Sequence, residues 1–274
     1  MAIYNSLNER LNTTHDTNGI SLDYAYSIDK DKVYTSTIEN EIVVMSYNIE
    51  LFGTRNNSST INEILKRHKP ELVGIQEATN SSLPSQALTL FSDYTYQCLG
   101  TQINHKSLSL SKIYMEAEPG QYTVDGRGYV KAYLTVNDKR ICWINTHLSN
   151  SSNESCKVQQ AAELFELVKE EPYFIITGDF NTVCKSVDDD EYTTIMRQFV
   201  DFGCHCANCS EEFGFTPTWT DQTTITVDNG YPCDHIITSH NIVIKHLIFD
   251  DYKTTLQTSD WLDHLPVVAI LGIN

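Results

Sequence analysis

Asn48, Glu77, His147, Asp179, Asn181, Asp234, Asp263 and His264 each stand at or beside the end of a short apolar run. Their types are complementary. Carboxylates such as Glu77 and Asp263 are the hard oxygen ligands that Mg²⁺ takes. A neutral histidine whose ring nitrogen is fixed by a carboxylate presents its other nitrogen to a substrate. Asp179 has the chemistry to hold or deprotonate a water, and Asn48 and Asn181 can donate to phosphate oxygens without adding negative charge. Phosphoryl transfer needs this combination of positioning and charge neutralisation. One Asn or Asp at a strand end is ordinarily a turn former or cap. Six chain segments ending this way, with matched chemistry, point instead to one shared rim.

The elements that must carry these residues are legible as short apolar runs. Ile42-Val43-Val44-Met45 and Leu72-Val73-Gly74-Ile75 read as buried strands, the second ending at Gln76-Glu77. Between them Ile61, Ile64, Leu65 and His68 fall at helical spacing, and Pro70 stops that helix. Tyr129–Val136 and Arg140–Asn145 flank the turn signal Asn137-Asp138 and predict a hairpin. Val158, Ala161, Ala162, Phe165 and Val168 mark a helix with one apolar face, and Tyr173–Thr177 is a further strand. Ile236-Ile237, Ile242–Ile244 and Val267–Leu271 complete the set. Strands with interspersed helices predict an α/β sandwich. Residues 1–40 are polar and aperiodic, and are expected to form an N-terminal extension of short strands and loops.

The 274 residues, 41% of them apolar, suffice for a sizeable buried core. No run approaches the roughly 18 apolar residues of a membrane span, and MAIYNSLNER lacks the pattern of a signal peptide. An intracellular protein, in cytoplasm or nucleus and monomeric by default, is expected. With 36 acidic against 19 basic residues the net charge is −17. That disfavours broad duplex binding, which relies on a basic stripe releasing counterions from the backbone. A small polyanionic contact stays open where metal ions supply positive charge locally.

The eight cysteines do not pace the chain as a disulfide framework would. Cys204, Cys206 and Cys209 with His205 raise one expectation of a structural zinc site. Their C-x-C-x-x-C spacing departs from the paired framework, so reduced thiols or a single disulfide is the other reading.

The segments MSYNIELF, GIQEATN, INTHLS, TGDFN, PCDHIIT and LDHLPVV, in this order, resemble the endonuclease/exonuclease/phosphatase superfamily with the DNase I-like fold. The resemblance implies a catalytic domain over residues 41–274, built as a four-layered sandwich of two packed mixed β-sheets flanked by helices. It implies Glu77 as principal Mg²⁺ ligand (Mn²⁺ as substitute), with Asn48 and Asp263 close to the metal. Asp179 would activate water, Asn181 would hold the phosphate, and His264 would contact the scissile phosphate while paired with Asp234. His147 would be a second phosphate-facing or acid/base histidine, and Arg127 in DGRGYV a phosphate clamp. Where the family's motif reads Ser-Asp-His, this chain has Leu262 before Asp263, with Ser259-Asp260 upstream. The family's usual Asn-Gly stretch is not clear around Ser107–Lys112.

For the substrate, the resemblance favours nucleic acid ends or DNA adducts, since DGRGYVKAYL…INTHLSNSS and FTPTWTDQT…CDHI are similar to tyrosyl-DNA phosphodiesterases. Trp219 or Phe215 would then stack on a base. A phospholipid head group, as in neutral sphingomyelinases, suits the acidic balance. An inositol-type phosphatase lacks a supporting Lys/Arg cluster, and an inactive binding module is disfavoured by the full set of catalytic residue types.

Overall fold

The computed structural model describes residues 40–50, 58–78, 91–101, 105–150, 154–219, 230–250 and 263–273. The expected N-terminal extension lies outside them except for Asn40, as do Ser259, Asp260 and Leu262.

Two mixed six-stranded sheets pack face to face. The first contains β1 (Glu41–Asn48), β2 (Leu72–Gln76), β3 (Tyr96–Leu99), β4 (Leu108–Ser111), β11 (Ile242–Phe249) and β12 (Val267–Ile273), ordered β11-β12-β1-β2-β4-β3. The second contains β5 (Met115–Gln121), β6 (Gly128–Val136), β7 (Lys139–His147), β8 (Phe174–Asp179), β9 (His205–Ala207) and β10 (Asp234–Thr238), ordered β5-β6-β7-β8-β10-β9. Each sheet has one parallel pair, β1 with β2 and β7 with β8. A parallel pair needs a crossover, and the crossovers are helix α1 (Ser58–His68) and helix α2 (Glu154–Val168). A π-helical turn (Tyr192–Met196) and helix α3 (Arg197–Asp201) lie beside α2.

The central strands are apolar along their whole length because both faces are covered. In β1, Ile42 and Val44 enter the core between the sheets, with Trp143, Ile175, Ile236 and Leu271. Val43 and Met45 turn to the opposite face and pack with Ile61 and Ile64 of α1. On the far side of the second sheet, Ile144, Ile176 and Ile237 meet Ala161, Leu164 and Val168 of α2. The expected four layers are therefore present. The hairpin β6–β7 turns at Asn137 and Asp138, with φ of 51° and 60°. Both central positions thus occupy the left-handed region that a tight two-residue turn demands.

A polar belt crosses the interior beneath one end of the sandwich. Asn145 Nδ2 donates to the carbonyls of Ile75 (3.0 Å) and Leu108 (3.1 Å) in the opposite sheet, and its Oδ1 accepts from Gln76 Nε2 (2.7 Å). Trp143 Nε1 donates to Thr177 Oγ1 at 3.1 Å. Gly74 permits this approach. A Cβ placed there would lie 2.1 Å from Thr177 Oγ1 and 2.6 Å from Asn145 Oδ1. Gly74→Ala is expected to destabilise the fold by about 1–3 kcal/mol through overpacking. Urea unfolding should show a lower midpoint with an unchanged slope.

Candidate active site

The two sheets bring their carboxylates and histidines to one rim through strand direction. The carboxyl ends of the parallel strands β1, β2, β7 and β8 deliver Asn48, Glu77, His147 and Asp179. The amino ends of their antiparallel neighbours β10 and β12 deliver Asp234, Asp263 and His264. Within the second sheet His147 is paired with Asp179, and Asp179 with Asp234.

Asp179 is the hub. Its Oδ2 accepts from Asn48 Nδ2 at 2.9 Å, across the two sheets, and its Oδ1 accepts the Asn181 N–H at 2.7 Å. Oδ2 also faces His147 Nε2 at 3.5 Å and His264 Nε2 at 3.8 Å. Burial and the Asp234 carboxylate push this carboxyl up, the His264 charge and the bonds from Asn48 and Asn181 pull it down, and the balance raises it to about 7. A group poised near neutral pH is suited to general-base work.

His264 Nδ1 donates to Asp234 Oδ2 at 2.7 Å, with both residues buried. Burial opposes its charge. The surrounding Asp234, Asp179 and Asp263 carboxylates outweigh burial and hold His264 well above the usual histidine range, so it is a cation. His147 is the opposite case. Burial, then the neighbouring Arg127 guanidinium, hold it well below that range, so it is neutral. Arg127 Nη1 donates to His147 Nδ1 at 3.1 Å. The same Nη1 lies 3.4 Å from Nε2, the ring nitrogen that faces Asp179.

Glu77 follows β2 with φ of 55°. Burial would raise its pKa, but His105 beside it and the neighbouring histidine rings, the cationic His264 among them, outweigh that and lower it to about 2. It is a fixed carboxylate. His105 Nδ1 lies 3.3 Å from Glu77 Oε1 at ion-pair distance, and its ring meets that of His147 edge-on with centroids 6.0 Å apart. Nothing in the sequence singled out His105, which stands in a polar loop without an adjoining strand end. Asp263 Oδ2 accepts from Trp219 Nε1 at 3.2 Å.

The donor set suits a hard divalent cation. Buried Asp234 Oδ1 and Asp263 Oδ1 have no hydrogen-bond partner. Buried carboxylate oxygens of this kind need a proton, a donor or a metal, and ionised Glu77 is a further hard oxygen ligand on this rim. Among the described residues, Asp179, Asp234 and His264 also offer ligand atoms within 4.8 Å of one another. A protonated His264 already bonded to Asp234 is a donor rather than a metal ligand.

The structure brings together all eight residues that opened the sequence reading, and Arg127 joins them through His147. Trp219 adjoins the rim by backbone bridges to His264 and Tyr231, and its indole stacks on the Tyr231 ring (centroids 5.9 Å, interplanar angle 18°). Phe215 does not join it: half-buried, it packs against the Tyr192 ring at 6.0 Å in the helix-covered layer. Nor do Cys204, Cys206 and Cys209 form a zinc site. Among the described residues no three thiol or imidazole ligands converge there, and all three thiols are buried, free and raised by burial. They are packing groups on the outer face of the second sheet.

Beside the rim, His235 is buried and pushed down to about 4 by burial, against the pull of Asp234 and of backbone carbonyls. Its Nε2 meets the Thr182 hydroxyl at 2.8 Å, and that hydroxyl donates to the Pro232 carbonyl. A histidine kept neutral in the fold but free to protonate when unfolded stabilises above its unfolded pKa of 6.5, and that stability falls as pH drops from 6.5 towards 4. The loss is on the order of 3 kcal/mol. Thermal melts between pH 7 and 4 should show a steeper acid limb for the wild type than for His235→Gln.

The chain matches the Endonuclease/Exonuclease/phosphatase family over residues 45–248. No curated protein matches it. Among solved structures, an endonuclease/exonuclease/phosphatase from Bacteroides vulgatus superposes with a TM-score of 0.67 at 18% identity, covering 86% of this chain and 100% of that one. The human Nocturnin catalytic domain with bound sulfate anion gives 0.67 at 15%, covering 86% and 96%. D. rerio TDP2 complexed with single strand DNA product gives 0.64 at 16%, covering 85% and 100%. At these identities the likeness is one of fold.

Proposed function

From the premise that the chain belongs to the endonuclease/exonuclease/phosphatase family, we propose that it is a Mg²⁺-dependent phosphodiesterase that hydrolyses a phosphoester by attack of water. The observation that carries this reading is the cationic His264, held by Asp234 and set beside the near-neutral Asp179 on the rim that also holds ionised Glu77.

Glu77 and Asp263, with Asn48 nearby, would hold Mg²⁺ or Mn²⁺. When bound, the ion would neutralise charge developing on the phosphoryl oxygens. The chain's own groups supply the rest. Asp179 accepts a proton from the attacking water as the water oxygen bonds to phosphorus; the P–O bond to the leaving group breaks and the leaving oxygen takes a proton from solvent. His264 places positive charge and an N–H at the scissile phosphate, and Asp234 keeps that imidazole oriented and charged. Asn181 uses one amide N–H on the Leu148 carbonyl (3.0 Å) and has a second for a phosphate oxygen. Neutral His147 sits between Arg127 and Asp179, an orienting role rather than that of an acid. Arg127 brings the guanidinium of a phosphate clamp to the same rim.

For the substrate we favour nucleic acid ends or DNA adducts. The support is the stacked pair Trp219–Tyr231 bridged to His264, a platform suited to an unstacked base. The D. rerio TDP2 structure, of the same fold, holds single strand DNA product. The net charge of −17 argues against a duplex grip and is the observation that favours the second reading, a phospholipid head group. An activity panel with Mg²⁺ separates them: 5′-phosphotyrosyl and plain single-stranded DNA, abasic duplex, sphingomyelin and inositol phosphates. Preferred turnover of a single-stranded end, weakening as salt rises, is expected. Turnover of sphingomyelin alone would replace the nucleic acid reading by the lipid one.

A further inference from the structure

Helix α2 carries polar side chains on its buried face where an amphipathic helix would place apolar ones. Lys157 and Gln160, three residues apart, are both fully buried. Gln160 Oε1 accepts the Ser149 N–H (2.8 Å) and its Nε2 donates to the Val124 carbonyl (3.1 Å), joining the segment after His147 to the loop that carries Arg127. Lys157 is the more demanding case, because a buried ammonium is tolerated only when paired and hydrogen-bonded.

Lys157 Nζ donates to the Asn181 carbonyl at 2.8 Å and to Glu191 Oε1 at 2.5 Å. The other Glu191 oxygen, Oε2, accepts the Val183 N–H at 2.5 Å. The ion pair thus closes around the turn that leaves β8, holding it by a carbonyl on one side and an N–H two residues later. Asn181 needs such a hold. Its φ of 52° lies in the left-handed region, a strained conformation for a residue other than glycine that persists only where the surroundings enforce it. Its own N–H caps Asp179 Oδ1. The Asn181 amide and one of the two hydrogen bonds that fix the Asp179 carboxylate, the other coming from Asn48, therefore depend on this turn, which the buried ion pair spans.

We propose that Lys157, together with Glu191, is a positioning residue for Asn181 and, through it, for Asp179. Neither charge reaches the rim; both act through the turn. The inference rests on the proposed role of Asn181 in holding phosphate.

The test uses the full chain with Lys157→Met, which keeps an unbranched side chain one atom shorter and removes the cation, and Glu191→Gln, which keeps its shape and weakens the pair. Two readouts are taken: amide hydrogen exchange across residues 180–184, and kcat and KM on a 5′-phosphotyrosyl single-stranded oligonucleotide, each repeated in an Asn181→Ala background. Faster exchange confined to 180–184, with β1 and β12 still protected, is expected. So is a kcat/KM about 10–100-fold lower for Lys157→Met, with a smaller loss for Glu191→Gln and almost no further loss once Asn181 is alanine. Wild-type kcat/KM in folded Lys157→Met would overturn the proposal, as would losses that simply add to that of Asn181→Ala, or exchange that rises evenly over the chain. If Lys157→Met does not fold, the same cycle with Glu191→Gln decides. A wild type that hydrolyses no phosphoester would sink the proposed function, while the exchange pattern would still decide whether the ion pair fixes the turn.

Discussion

Replacing His264 with alanine is expected to lower kcat/KM for phosphodiester hydrolysis by about 10²–10⁴-fold. The estimate follows from what a positioned acid or a preorganised cation contributes at developing negative charge. The loss should fall mainly on kcat, because the interaction strengthens as charge accumulates on the phosphoryl oxygens. Removing the imidazole also strips Asp234 of its 2.7 Å partner in a fully buried position. Breaking such a pair from one side typically destabilises by about 3–5 kcal/mol. The thermal midpoint should therefore drop as well, and activity must be scaled to the folded fraction. Asp234→Asn supplies the control. It keeps the ring in place but removes the carboxylate that sustains its charge, so a smaller loss of about 10–100-fold is expected. Equal activity of His264→Ala and wild type, measured on folded protein, would remove His264 from the chemistry.

The second large effect concerns Glu77. Glu77→Gln preserves shape and removes a carboxylate whose pKa is lowered to about 2. The Mg²⁺ concentration for half-maximal activity should rise by at least the 10–100-fold, roughly, that loss of a mere outer-shell partner produces. His105 loses its anionic neighbour in the same variant, so His105→Ala is the companion measurement. If His105 only accompanies the carboxylate, that variant shifts Mg²⁺ dependence far less than Glu77→Gln does. Calorimetric titration of Mg²⁺ reads the same difference without substrate. An unchanged Mg²⁺ response in folded Glu77→Gln would move the cation to the Asp179–Asp234–His264 side of the rim.

Much of the sandwich and nearly all of the rim were legible because the central strands are buried on both faces. Such strands appear as uninterrupted apolar runs, and the polar residue that stops each run is conspicuous. Asp179 after Phe174–Gly178 and His147 after Ile141–Asn145 are found this way. The peripheral elements left no such trace. β3 is half-buried throughout, and β5 contains Pro119 and Gly120 with mostly uncovered side chains, so neither shows a clean period. The π-helical turn over Tyr192–Met196 follows an acidic stretch that reads as loop. Helix α2 was found from Val158, Ala161, Ala162, Phe165 and Val168, yet its functional face is the one carrying Lys157 and Gln160. Hydrophobic periodicity is blind to a buried polar group satisfied by distant partners. His105 was hidden for a related reason: its significance comes only from Glu77 and His147, residues far from it in sequence. Phe215 shows the converse error, since an aromatic beside Trp219 in sequence turns into a different layer of the fold.

The central claim, metal-assisted hydrolysis of a phosphodiester at this rim, is met most directly by one measurement. Product release from a 5′-phosphotyrosyl single-stranded oligonucleotide is followed with Mg²⁺ added, with EDTA, and with Mg²⁺ restored after EDTA. Multiple turnovers that stop in EDTA and return with Mg²⁺ in the wild type, and are lost in Glu77→Gln and His264→Ala, are expected. Turnover that persists undiminished in EDTA, or that the two substitutions leave intact, would contradict it.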